Sequence, residues 1–281
     1  ELAEVADKLA ETVETLKDSY RAAERLQASF LPPLEKIVTG AALYYRPLQE
    51  VGGDFYTFTL NTFSKRALFA VGDCTGHGIP GAILSGILVS NLVTIFSSNP
   101  GFRPHTILSK ILFTLRDIFS SENGTRSFAG GEAIVGIADF EANKVFIACA
   151  KRPIWVYSPV EGLKEFDGGK ESINARTPLD YNFPHYELDL TEDYTLYLFT
   201  DGITDVLSPA GKRIGRKAFH DFLISHDIVQ LPPEEQKQKI IDWLEKWRGT
   251  APLNDDMTLM ILPFKVLRLY GERTFSKLYP S

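Results

Sequence analysis

The sequence predicts a mixed α/β fold in which helices stand between two sets of largely antiparallel strands. Short apolar runs of strand length recur on both sides of a central region with helical spacing. Several neighbouring runs are joined by links of hairpin length, which suit antiparallel pairs because a parallel return needs a crossover of a dozen or more residues. With 281 residues, 44% hydrophobic and 12% aromatic, the chain can bury a substantial core, so one large domain with appendages is expected.

Residues 1–31 contain no glycine or proline and place Leu2, Val5, Leu9, Leu16, Ala23, Leu26 and Phe30 near heptad a and d positions, with Val13 and Tyr20 adjacent. This predicts an amphipathic linker helix, imperfect as a coiled coil because Thr12 and Ser19 take two d positions. Its apolar stripe must be covered, either by its own domain or by a dimer partner. Pro32-Pro33 ends it. Strand runs follow at 43–46, 55–60 and 66–72. A helix then starts near Gly78, with Pro80 at an early position that tolerates proline, and runs on through Ile83, Leu84, Ile87, Leu88, Leu92 and Ile95. A second helix is expected at 104–119. Strands resume at 132–139, 145–150 and 154–157, the first two joined by a Glu141-Ala142-Asn143-Lys144 turn. The glycine-, proline- and charge-rich stretch 161–184 reads as surface loops. A strand at 194–200, helices at 217–224 and 233–247, and a last strand at 257–264 complete the pattern. The organisation expected is a linker helix at 1–33, one domain at 41–264 and a peripheral C-terminal extension at 265–281.

The net charge of -6 and pI near 5.5 leave no electrostatic footprint for nucleic acid. No apolar stretch approaches the roughly 20 residues needed to cross a bilayer, so no membrane span is expected. Cys74 and Cys149 are too few for a disulfide framework and no secretory signal is visible, which points to the cytoplasm. The chain starts at Glu1, as a fragment lacking an upstream sensor domain would.

Four short acidic motifs carry the chemistry: Val51-Gly52-Gly53-Asp54, the run Val71-Gly72-Asp73-Cys74-Thr75-Gly76-His77-Gly78, Phe199-Thr200-Asp201-Gly202, and Asn254-Asp255-Asp256-Met257-Thr258. Each lies beside a strand edge, where an aspartate can reach a common cleft while the sheet fixes its backbone. Any one of them alone is more often a turn or helix cap. Crowded carboxylates repel, so a shared location calls for cations, and an all-oxygen donor set favours Mg²⁺ or Mn²⁺ over zinc.

In these motifs the sequence resembles the bacterial metal-dependent (PPM, or type 2C) serine/threonine phosphatases, in the branch typified by SpoIIE and RsbU. The matching pieces are VGGDFY at 51–56, VGDCTGHGIPGAI at 71–83, LFTDGITD at 198–205 and NDDMTLMIL at 254–262, in the family's order. The Thr177-Pro178-Leu179 turn and Gly211–Gly215 support the match. The resemblance implies an α+β, four-layer sandwich: two antiparallel sheets flanked by helical layers. It implies two Mn²⁺ or Mg²⁺ ions bridged by Asp73 and completed by Asp54, the Cys74 backbone carbonyl, Asp201 and Asp255, with Asp256 a neighbour of the ligands. Asp73 would act in catalysis through a metal-activated water, hydrolysing phosphoserine or phosphothreonine on a partner such as a STAS-type anti-sigma-factor antagonist. A catalytically inactive pseudo-phosphatase that binds phosphoprotein is the alternative. A small-molecule phosphohydrolase finds no support in a Gly-rich nucleotide cradle.

His77 reads as a packing or capping residue at the cleft rim, and Cys74 as inert, since no histidine stands in a motif to activate it. Lys151 and Arg152 occupy a turn where the branch often carries Asn-Ala-Gly-His. They are expected either as an ordinary charged turn, the favoured reading, or as a basic pair that binds the phosphoprotein substrate.

Overall fold

Side-chain alternation sorts the strands into two antiparallel sheets stacked face to face. The computed structural model describes residues 2–31, 33–34, 38–119 and 129–278. One sheet contains β1 (Ala42–Arg46), β6 (Ile154–Ser158), β7 (Gly162–Phe166), β10 (Thr195–Phe199) and β11 (Met257–Pro263), in the order β1-β11-β10-β6-β7. The other contains β2 (Phe55–Asn61), β3 (Arg66–Cys74), β4 (Gly130–Asp139), β5 (Lys144–Ala150) and β9 (His185–Asp189), in the order β2-β3-β4-β5-β9, with β8 (Ile173–Asn174) on β4. In β10, Leu196 and Leu198 point into the core between the sheets with Met260 and Leu262 of β11. Tyr197 and Phe199 point the other way, joining Trp155, Leu259 and Ile261 beneath α4 (Gly215–Ser225) and α5 (Pro233–Arg248).

The outer face of the second sheet is covered by α2 (Gly78–Ser98) and α3 (Pro104–Phe119) through Leu84, Leu88, Leu92, Phe96, Ile107, Leu108, Ile111 and Leu115. Helices thus flank both sheets, the four-layer arrangement expected. With both faces covered, the strands read as continuous apolar runs: Ala67–Val71 and Val145–Ala150 are buried throughout. Asn143 takes a left-handed conformation in the β4–β5 turn, which Asp139 braces by accepting the amides of Glu141 and Ala142.

Three local expectations need correction. By length and composition α2 is apolar enough to cross a bilayer, against the expectation of no such stretch; Gly81, Ser85, Gly86 and Asn91 interrupt the run without adding charge. Its buried face packs on the sheet. The 161–184 stretch holds β7 and β8, and β9 follows it, edge or two-residue strands whose charged, exposed positions erase the apolar period. Beyond β11 the chain forms α6 (Phe264–Leu278), with Phe264 and Leu267 in the core, Gly271 against the Phe140 ring and Arg268 donating to the carbonyls of Leu190 and Glu192.

At the other end α1 (Leu2–Phe30) touches the body only by its last turns. There Phe30 lies over Gly86 and Gln27 is buried, while Val5, Leu9, Leu16 and Leu26 are each more than half exposed. In the single chain most of the predicted stripe is uncovered.

Candidate metal centre

Strand register brings the four acidic motifs to one end of the sandwich. Phe55 pairs with Gly72 across β2 and β3, so Asp54, just before β2, lies beside Asp73 near the end of β3. Phe199 pairs with Leu259 across β10 and β11, so Asp201, just after β10, lies beside Asp255 and Asp256, which lead into β11. The chain crosses so closely here that a Cβ on Gly202 would fall 1.7 Å from the Asp256 carbonyl oxygen.

The two adjacent aspartates do different work. Asp256 is buried, with Oδ1 accepting the Leu48 amide (2.6 Å) and Oδ2 the amides of Gly53 (2.6 Å) and Asp54 (3.4 Å). It fastens the Gly52-Gly53-Asp54 loop to β11. Asp255 is only partly buried, and its Oδ1 accepts the Asp256 amide. Asp54 is buried, and its Oδ2 accepts hydroxyl hydrogens from Thr200 and Thr258, each at 2.7 Å. The Cys74 amide donates to the Gly53 carbonyl (3.2 Å), and the Cys74 and Gly76 carbonyls crowd the space a Cβ at Gly53 would need.

The carboxylates feel one another. Burial and then Asp201 push Asp73 up to about 8, with Arg152 opposing. Burial and then Asp201 push Asp255 up to about 6. Burial and then Asp73 raise Asp54 well above the usual range against the pull of its two threonines. Three carboxyls thus hold protons more tightly than free aspartate does, first because they are buried and then because they lie close to one another.

Lys151 and Arg152 part company. Lys151, left-handed at φ 65°, reaches Glu132 Oε1 at 2.5 Å and is half exposed. Arg152 turns inward, 12% exposed, with Nη2 at 2.7 Å from Asp201 Oδ2 and 3.4 Å from Asp73 Oδ2. Its Nε is 2.7 Å from Glu132 Oε2, an ion-pair distance without hydrogen-bond alignment. The ordinary charged turn describes Lys151 and fails for Arg152. Glu132 escaped the sequence reading although it left a signal: it is the charged residue in an apolar run and pairs in register with Asp73. Thr200 and Thr258 were also missed. His77 sits at the N-cap of α2, exposed, without a side-chain capping bond. The Cys74 thiol is raised well above its usual range by burial and then Asp73, which agrees with an inert side chain.

Residues 64–265 match the family described as Stage II sporulation protein E (SpoIIE). The chain belongs to the SpoIIE family. The SiaA-PP2C domain of Pseudomonas aeruginosa is similar at 26% identity with a TM-score of 0.77, over 90% of this chain and 99% of that one. The RsbU and RsbW domains of Rv1364c from Mycobacterium tuberculosis share the fold at 20% identity and a TM-score of 0.62, over 79% of this chain and 59% of that one. So does RsbX in complex with magnesium, at 14% identity and a TM-score of 0.53, over 79% of this chain and 94% of that one. No curated protein matches the sequence. The fold is that of the PP2C-type phosphatases, as the motifs implied.

Among the described residues no three acidic, thiol or imidazole side chains already close on one point. In this SpoIIE-family domain Arg152 lies among them. The donor chemistry nevertheless fits a hard divalent ion, with oxygen throughout and neighbouring carboxyls whose raised proton affinity a cation would relieve.

Two outcomes are expected. Asp256→Ala strands buried backbone donors and should lower unfolding free energy in urea titrations by about 3 kcal/mol. Asp255→Ala removes a repelled charge and should change it by less than about 1 kcal/mol; equal losses would contradict the division of roles. The second concerns pH. Asp73 is pushed up to about 8 and Asp255 up to about 6, above the 3.8 of a free aspartate, so the folded chain binds more protons than the unfolded one. Their contribution to stability is full below that value and is lost as pH rises through 6 and 8. Mn²⁺ must displace the same protons, so its increment in melting temperature over a chelator control should grow from about pH 5.5 to about pH 8.5. A pH-independent increment would contradict this.

Proposed function

We propose that this chain is a metal-dependent protein phosphatase that hydrolyses phosphoserine or phosphothreonine on a regulatory partner protein. The observation that carries the reading is the gathering of Asp54, Asp73, Asp201 and Asp255 from two sheets at one end of a SpoIIE-family fold. Asp73, with Asp54, the Cys74 backbone carbonyl, Asp201 and Asp255, would hold two Mn²⁺ or Mg²⁺ ions, and the magnesium complex of RsbX supports such an ion. When bound, they would supply a water acidic enough to attack phosphorus and positive charge for the phosphoryl oxygens. The chain's own groups bind and orient. Thr200 and Thr258 hold Asp54 in one rotamer, Asp256 holds its loop, and glycine at 53 leaves room for the Cys74 carbonyl. The buried Cys74 thiol is not needed as a nucleophile. The RsbU and RsbW domains joined in one similar chain support a regulatory protein as partner, and a STAS-type anti-sigma-factor antagonist is the substrate we propose.

The alternative, a phosphoprotein-binding module without turnover, is favoured by one contact, the Arg152 guanidinium on two proposed ligands. Mn²⁺-dependent phosphate release from a phosphoserine protein separates the two. Wild type should turn over, and Asp73→Asn should be slower by about a thousandfold, the scale of several kcal/mol of lost charge stabilisation. Metal binding with no hydrolysis of any phosphoester would favour the module, and full activity in Asp73→Asn would refute the metal assignment.

The uncovered stripe of α1 supports a homodimer. A groove of about 650 Å³ between α1 and α2, lined by Ala22, Ala23, Leu26, Phe30, Ile79 and Ile83, continues that stripe, and α1 of a second copy is its proposed occupant. Gln27 links the helix to the site: its Nε2 donates to the Gly52 carbonyl (2.7 Å) and its Oε1 accepts the Gly52 amide (3.3 Å). Removing residues 1–21 should therefore give a monomer by light scattering with lower activity; an unchanged mass and rate would count against coupling.

A further inference from the structure

Arg152 is built into the acidic cluster. Lys151 reverses the chain after β5, and its amide donates to the Gly168 carbonyl at 2.7 Å. Gly168 packs so closely that a Cβ there would lie 2.3 Å from the Arg152 carbonyl carbon. The backbone beneath Arg152 is therefore fixed, and its side chain runs inward to Asp201, Asp73 and Glu132. Asp73 and Asp201 are also two of the proposed metal ligands, and Nη2 lies 2.7 Å from an oxygen of the second. A guanidinium against that carboxylate opposes a metal ion there: each is a cation, the two repel at close range, and each draws on the same oxygen. Beside the contact is a cavity of about 430 Å³ lined by Glu132, Lys151, Arg152, Asp201, Thr204 and Arg216, wide enough to receive the displaced side chain.

We propose that Arg152 is a resident counter-cation that competes with the metal for Asp73 and Asp201, so that loading the site requires the guanidinium to swing into the adjoining cavity. This rests on the proposed metal assignment. Arg152 is a positioning residue here: it sets how tightly the site takes its ion. Without it the metal meets one more uncompensated negative charge, whereas the metal-free protein loses the partner that relieves its carboxylates. Lysine keeps the charge but not the planar fork that spans several carboxylates, so it should compete less well.

The test is Mn²⁺ titration calorimetry on the whole chain, with melting curves in chelator and in saturating Mn²⁺, for wild type, Arg152→Gln, Arg152→Lys and Asp73→Asn. Arg152→Gln should bind Mn²⁺ about tenfold tighter or more, as expected for deleting a like charge beside the ion. It should melt below wild type in chelator, and the gap should close with saturating Mn²⁺. Arg152→Lys should fall between the two in affinity, and it carries the test alone if the glutamine variant does not fold: tighter than wild type supports the proposal, equal or weaker overturns it. Arg152→Gln binding no tighter than wild type, with binding lost in Asp73→Asn, overturns the competition and leaves the metal site standing. Wild-type affinity in Asp73→Asn overturns both.

Discussion

Carboxylates from four separate segments are held in one partly dry cleft, and their mutual repulsion is the constraint around which the rest of the site is arranged. Left to itself the chain would relax the strain by moving a loop or taking up protons. Movement is blocked because Asp73 and Asp201 adjoin paired strands and Gly202 is wedged against the Asp256 carbonyl. Proton uptake is the remaining response, and burial first, then the neighbouring carboxylates, raise the proton affinities of Asp54, Asp73 and Asp255. A sheet that holds like charges together against their preference is a standing demand for a cation. Arg152 meets part of that demand from within the chain.

The cleft distinguishes acids that face it from acids that build it. Asp255 and Asp256 are adjacent at the entry to a strand, where successive side chains point to opposite sides. One is therefore left at the cleft while the other goes under the loop and accepts backbone amides. The same logic explains Thr200 and Thr258. They stand across β10 and β11 from one another, with the Thr258 amide donating to Thr200 Oγ1, and both hydroxyls converge on Asp54. These residues transmit the geometry of the five-stranded sheet to Asp54, which is carried at the edge of the six-stranded one.

Much of this was legible in the sequence, for a physical reason. Strands covered on both faces, such as 67–71 and 145–150, are unbroken apolar runs, and α3 had an apolar face clear enough to fix both its ends. The four aspartates were legible because each adjoins such a run. What was missed lies where tertiary contacts decide. β7 and β9 are edge strands with charged exposed positions, so they lack the period that marks a buried strand. The inward turn of Arg152 depends on a left-handed residue before it and on Gly168 from a later segment, neither visible in a charged tetrapeptide. Glu132 could have been found only by knowing that β4 pairs with β3 in the register that sets it against Asp73.

The Gly52-Gly53-Asp54 loop is gripped from two directions, and this makes α1 more than an appendage. From β11, Asp256 accepts the Gly53 amide, and from α1, Gln27 both donates to and accepts from Gly52. The first grip belongs to the sheet and cannot shift without unpairing a strand. The second belongs to a helix with most of its length free of the body, and Gln27 also donates to Ser85 of α2 at 3.3 Å. Any force on α1 therefore acts on a loop whose other end is anchored at Gly53, so displacement falls on Gly52, a residue with little resistance to backbone rotation. Asp54 follows directly. A coupling free energy between helix and site requires two arrangements with different contacts, and the Gln27–Gly52 pair is the contact that two such arrangements would make and break.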